Sequence, residues 1–164
     1  MQALNSPIEL GVRSLIVLTA AFPKALDLSR LVLMDHCLLH SADLGGPESI
    51  LPPLPARTGE LGMKRTVIEH GIHVMVRAGM IDALATPDGL FYRASDDARP
   101  FLQLLRSPHT TSLAAVADWI AHEFSELSED QIRDRMNSVT ARWSEEFEWS
   151  RALADDTGSE GIEA

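Results

Sequence analysis

Residues 34 to 43, MDHCLLHSAD, hold the densest group of side chains able to do chemistry. His36 and His40 stand four apart, the spacing that puts two imidazoles on one face of a helix. Cys37 lies between them, and Asp35 and Asp43 flank them. Zinc would need three protein ligands at a catalytic site and four at a structural one. On a helical wheel Cys37 points nearly opposite to Asp35, so the two cannot join the histidines around one ion. No HExxH or paired CxxC pattern supplies further ligands, so no metal and no cofactor is expected. The plain reading is a pair of rim histidines and a small buried cysteine. Asp35 is the odder residue. It falls in the middle of an apolar side made by Leu28, Leu31, Val32, Leu38 and Leu39, where a carboxylate is costly unless paired or hydrogen-bonded. It is expected to cap a neighbouring segment or to pair with an arginine, and Arg57, just downstream, is the nearest supplier in sequence.

A second candidate site lies further along, where Thr66, Glu69, His70, His73 and Arg77 fall on one face of a helix and Ile68, Ile72 and Met75 lie opposite. Arg57, Lys64, Arg65 and Arg77 outnumber Glu60 and Glu69 over residues 57–77. Thr, His and Arg can touch phosphates and base edges, so Lys64, Arg65, Thr66, His70, His73 and Arg77 are candidate nucleic-acid contacts. A solvated helix face would look the same. The whole chain opposes such contact. Its net charge is −10, with 9 Lys and Arg against 11 Asp and Glu in residues 1–100 and 5 against 13 in residues 101–164. An acidic field does not steer a protein to nucleic acid, so DNA contact must come from a local patch or through a basic partner. There is no GxSxG, P-loop or GxGxxG, and no nucleophile beside a base. An enzyme is not expected.

The elements that would position these residues are well signalled. Ser6, Pro7 and Glu9 have the pattern of a capped helix start, and Ile8, Val12, Leu15, Ile16 and Thr19 repeat at helical spacing up to Pro23. Asp27 caps a second helix over about 28–41. Then comes DLGGPESILPPLPARTG, residues 43–59, with four prolines and three glycines. So long a stretch without regular structure is uncommon inside a compact domain. Its PPLP segment suits a rigid loop better than a polyproline ligand. Ile50, Leu51 and Leu54 put apolar side chains on it, which makes them candidate partner contacts. A third helix spans about 60–78, with Gly79 as a left-handed cap. MIDALA, the turn TPDG and LFYRA form a hairpin. The remainder is helical: Ser95 caps a short helix ending near Arg106, and residues 109–124 form a longer one. Ser128 and Gln131 make a capping box before a stripe of Ile132, Met136, Val139, Trp143 and Phe147.

The expected fold is mainly α: a winged helix-turn-helix-like core with a small β-hairpin wing and additional C-terminal helices. One such domain would span 1–150, and 151–164 would be an acidic disordered tail. The chain has 164 residues, 45% of them hydrophobic, enough for one globular core. No run approaches the roughly 18 apolar residues of a membrane span. The N-terminus has no basic leader before an apolar run. A single cysteine suits a reducing cytoplasm. A winged helix can bind DNA or serve only as a protein-binding scaffold.

Specific stretches carry a family resemblance. LNSPIELGVRSLIVL, DLSRLVLMDHCLLHSADLGGPESILPPLPARTGEL, KRTVIEHGIHVMVRAGMI and GLFYRASDDARPFLQLLRSP are similar to the middle component, in its second described type, of bacterial ABC three-component systems. The resemblance runs from about Asn5 to Trp149, and its most specific piece is HSAD-GGPESI-P-R-GEL across the loop. It implies a non-enzymatic, winged-helix-like accessory subunit. Its partners would be an ABC or SMC-type ATPase encoded nearby and a third component, in systems inferred to act against phage or other invading DNA. The loop would then be a docking surface. A stand-alone winged-helix transcriptional regulator is the alternative.

Overall fold

The computed structural model describes residues 6–50, 58–135 and 137–138. Six helices and a small antiparallel sheet make up these residues, so the mainly α expectation holds. Helix α1 (Pro7–Ala21) is followed by a two-residue strand β1 (Leu26–Asp27), helix α2 (Leu28–Leu39) and a 3-10 turn (Ser41–Leu44). Helix α3 (Thr58–Arg77) leads into the hairpin β2 (Ile81–Thr86) and β3 (Gly89–Ala94). Helices α4 (Ala98–Leu104) and α5 (Pro108–Glu123) follow, and α6 begins at residue 129. The acidic tail at 151–164 and the stripe residues Met136, Val139, Trp143 and Phe147 lie outside the described residues.

Local chemistry sets most of these boundaries. The Ser6 hydroxyl accepts from the Glu9 amide at 3.2 Å, and the Asp27 carboxylate accepts from the Arg30 amide at 2.8 Å. Each satisfies a donor that a helix start leaves open. The Ser128–Gln131 capping box closes in both directions, at 2.8 and 3.2 Å. Gly79 ends the α3 region at φ +77°, a conformation that strains residues bearing a Cβ. The TPDG turn closes the hairpin, with Thr86 paired to Gly89 and Ile81 to Ala94.

Three sequence expectations are corrected. Ser95 stands two residues before the N-cap of α4, which falls to Asp97; its hydroxyl donates to the Gly79 carbonyl at 2.6 Å and accepts from the Asp97 amide at 3.3 Å. Helix α5 starts one residue early, with Ser107 as its cap. The strand β1 was unforeseen. It pairs with β3 through Leu26–Tyr92 and Asp27–Phe91, giving a three-stranded sheet in the order β1-β3-β2.

The core is built around α1. Ile8 is 64% exposed, against expectation, whereas every residue from Arg13 to Leu18 is buried. A helix covered on all sides has no single apolar stripe to read. Helices α2, α3 and α5 and strand β3 all pack against α1. The closest approach is at Gly11 and Gly71. A Cβ on Gly11 would lie 2.6 Å from the Gly71 carbonyl oxygen, and one on Gly71 would lie 2.6 Å from the Gly11 nitrogen. The two backbones therefore touch, and only glycine fits on either side. Helix α2 is likewise wrapped: Asp35 and Cys37, on opposite sides of it, are 1% and 0% exposed.

Candidate functional site

Asp35 is the centre of a buried ionic cluster that joins three helices. Arg13, on α1, donates from Nε to Oδ1 at 2.7 Å and from Nη2 to Oδ2 at 2.9 Å. Lys64, near the start of α3, places Nζ 2.6 Å from the same Oδ2. Burial alone would push the Asp35 carboxyl up, but the Lys64 and Arg13 cations outweigh it and hold its pKa below the usual carboxylate value. Asp35 thus pairs with an arginine as expected, but that arginine is Arg13, 22 residues upstream. Arg57 lies outside the described residues. Arg13 escaped sequence reading because an arginine in an amphipathic pattern is assigned to the solvent side.

His36 and His40 stack beside this cluster, their ring centroids 4.7 Å apart and their planes tilted by 39°. Burial lowers the His36 pKa to about 4, helped by His40 and Lys64, and burial lowers that of His40 too. Both rings are therefore neutral at pH 7. The Cys37 thiol is pushed up to about 12 by burial, which leaves it inert as a nucleophile. Among the described residues no group of three or more His, Cys, Asp or Glu could hold a metal ion.

Helix α3 presents the second candidate face. Thr66, His70, His73 and Arg77 are exposed and Glu69 is half-buried, while Ile68, Ile72 and Met75 are buried. The face therefore exists as the wheel predicts. Its charge does not match the simple count. Lys64 stands four residues before Ile68 and eight before Ile72, on the buried side, and its ammonium goes to Asp35. Arg65 donates to the Ser29 hydroxyl at 2.8 Å. The face keeps Arg77 and Glu69, and Arg65, exposed four residues before Glu69 and still charged, brings the balance to +1. Val74 on α3 and Leu90 on the hairpin add apolar surface, at 41% and 49% exposure.

The loop after α2 is ordered by its own serines. The Ser41 hydroxyl donates to the Pro47 carbonyl at 2.9 Å, and the Ser49 hydroxyl accepts from the Ala42 amide at 3.0 Å. Gly46 lies flat on Trp119 of α5: a Cβ there would come within 2.6 to 2.8 Å of the ring. Arg135 donates to the Leu44 carbonyl at 2.9 Å and stands 5.1 Å over the Phe124 ring. The loop's first half is thus clamped onto α5 and α6. Ile50 is half-buried against the core and borders an open groove with His109, Ser112 and Val116. Its contacts are partly internal, unlike those of a free docking side chain. Leu51 and Leu54, the other candidate partner contacts, lie outside the described residues.

These features define a small, mainly helical protein with a three-stranded antiparallel sheet. Among the described residues no helix is long and apolar enough to cross a membrane. The family model for the ABC-three component (ABC-3C) system Middle Component 2 matches residues 3–146, and the chain belongs to that family. It is therefore a component of an ABC three-component system, with the other components of that system as its partners. No curated protein and no solved structure matches the chain.

Proposed function

We propose that the chain is a non-enzymatic accessory subunit that docks on the ATPase or the third component of its system through the exposed face of α3 and the adjoining hairpin. The observation that carries this reading is the composition of that face. It offers hydrogen-bonding side chains (Thr66, His70, His73), the cations Arg65 and Arg77, the carboxylate Glu69 and exposed Val74, and the hairpin adds exposed Leu90. A near-neutral mixed surface suits a protein partner better than a phosphate backbone, which demands net positive charge. The buried charges favour the same reading, since Asp35, Arg13 and Lys64 hold helices together and offer no reacting group to solvent.

Leu51 and Leu54 of the proline-rich loop are candidate contacts to the same or another component. DNA would be handled by the assembled complex, with Arg77 and Arg65 as peripheral contacts, and the system's role would be defence against phage or other invading DNA. The setting would be the cytoplasm. A tagged chain expressed with its neighbouring genes tests this: the ATPase should co-purify, and His70→Asp with Val74→Asp should release it.

One observation favours a second reading. The order α1-β1-α2-α3-β2-β3 is that of a winged helix, with α3 in the recognition position and the hairpin as wing. A stand-alone transcriptional regulator of this form would bind its own promoter as a dimer and would not retain an ATPase.

A further inference from the structure

Besides its buried apolar side, helix α3 meets its neighbours through two contacts of different kinds. At Gly71 it rests on Gly11 of α1, backbone on backbone. No side chain separates the two backbones there, and the buried Ile68 and Ile72 pack on either side of Gly71. Seven residues earlier, about 10 Å along the axis at 1.5 Å per residue, Lys64 reaches inward to Asp35. Arg13 holds the other side of that carboxylate through two hydrogen bonds and is itself 1% exposed. The first contact sets the spacing of α1 and α3, and the second ties the N-terminal part of α3 to the Asp35–Arg13 pair. Thr66 and His70 of the exposed face lie on the stretch between these two contacts.

We propose that Lys64 is a positioning residue, which sets the tilt of α3 and hence the presentation of its exposed face. The inference rests on the reading of that face as a docking surface. The geometry separates this role from fold stability. Without Lys64, Asp35 keeps both bonds from Arg13, so no buried charge is stranded. The Lys64 side chain is 18% exposed, so its removal opens no sealed cavity. The residues that anchor α3 to the core, Ile68, Ile72 and Met75, lie C-terminal to it and are untouched. Loss of Lys64 therefore frees the N-terminal arm of α3 while the rest of the fold stays in place.

The test uses Lys64→Met, which keeps the methylene packing, and Lys64→Arg, which can still reach Asp35. Three measurements are made on the full chain: the melting temperature, amide hydrogen exchange along α3, and capture of the ATPase encoded beside it. Lys64→Met should melt close to the wild type. Its amides at residues 65–70 should exchange roughly tenfold faster while those at 72–77 stay protected, since local opening is read separately from global unfolding. Capture of the ATPase should fall about tenfold, matching the loss of one orienting contact, and Lys64→Arg should restore both. Unchanged exchange at 65–70 overturns the proposal. So does a uniform rise along α3 with a lower melting temperature, which would make Lys64 an ordinary stabilising residue. Faster exchange at 65–70 with undiminished capture sustains the positioning role and overturns the docking reading of the face.

Discussion

Arg13 and Asp35 face each other in the core across 22 residues of sequence, joined by two hydrogen bonds of 2.7 and 2.9 Å. Neither is accessible to water, so each is the condition for burying the other. Asp35→Ala leaves the guanidinium without its carboxylate and should cost about 3–5 kcal/mol, the usual penalty for breaking a buried pair from one side. Urea unfolding measures it. Arg13→Met combined with Asp35→Ala should recover part of the loss. If the double variant is as unstable as the sum of the singles, the two residues are not coupled.

The pH dependence of stability has two separable windows. His36 takes up its proton near 6.5 when unfolded and only near about 4 when folded. The unfolded chain thus holds more protons between these values. The His36 contribution is complete above pH 6.5 and declines as pH falls toward 4, by up to about 3 kcal/mol at 1.36 kcal/mol per pKa unit. Asp35 has a depressed pKa, so its contribution is present above the ordinary carboxylate range and is lost only at lower pH. Unfolding free energies at several pH values should show the decline starting near 6.5. His36→Leu should reduce it between 6.5 and 4, leaving the share of His40, whose pKa burial also lowers, and the acid limb. An unchanged profile in that variant would mean that His36 is not buried as a neutral ring.

Gly71→Ala should be far more damaging than Gly79→Ala. The first drives a methyl group into the backbone of α1, where the neighbours cannot give way. The second meets nothing within 4 Å and pays only for φ +77°, about 1–2 kcal/mol. Thermal denaturation of the two variants checks this, and equal losses would contradict the close helix crossing.

Arg77→Ala tests the nucleic-acid part of the account. If the assembled complex binds DNA through this face, its salt slope should fall by about one, the value for a single phosphate contact. The isolated chain should bind DNA poorly because its net charge is −10. Tight binding by the chain alone at physiological salt would contradict the weight given to the acidic field.

The elements were legible in the sequence wherever a local rule fixes them. Ser6, Asp27 and Ser128 with Gln131 announce helix starts, and Thr86–Gly89 announces the turn. The strand β1 was not legible, because two residues carry no periodicity and their pairing with Tyr92 and Phe91 is long-range. Asp35 stood out as a carboxylate among leucines, so the need for a cation could be read. Which cation could not, since Arg13 and Lys64 come from helices distant in sequence. Lys64 was mistaken for a surface charge although its spacing from Ile68 and Ile72 places it on the buried side. Ile8 shows the converse error: a β-branched residue at the right spacing that the packing leaves outside.

The most direct test of the central claim is the composition of the complex that forms when the chain is co-expressed with the ATPase and the third component of its system. Light scattering coupled to gel filtration would give its mass. The account predicts a stable assembly containing this chain, and its loss with His70→Asp and Val74→Asp while the chain itself stays folded. A chain that elutes alone as a dimer, binds its own promoter and ignores the ATPase would contradict it.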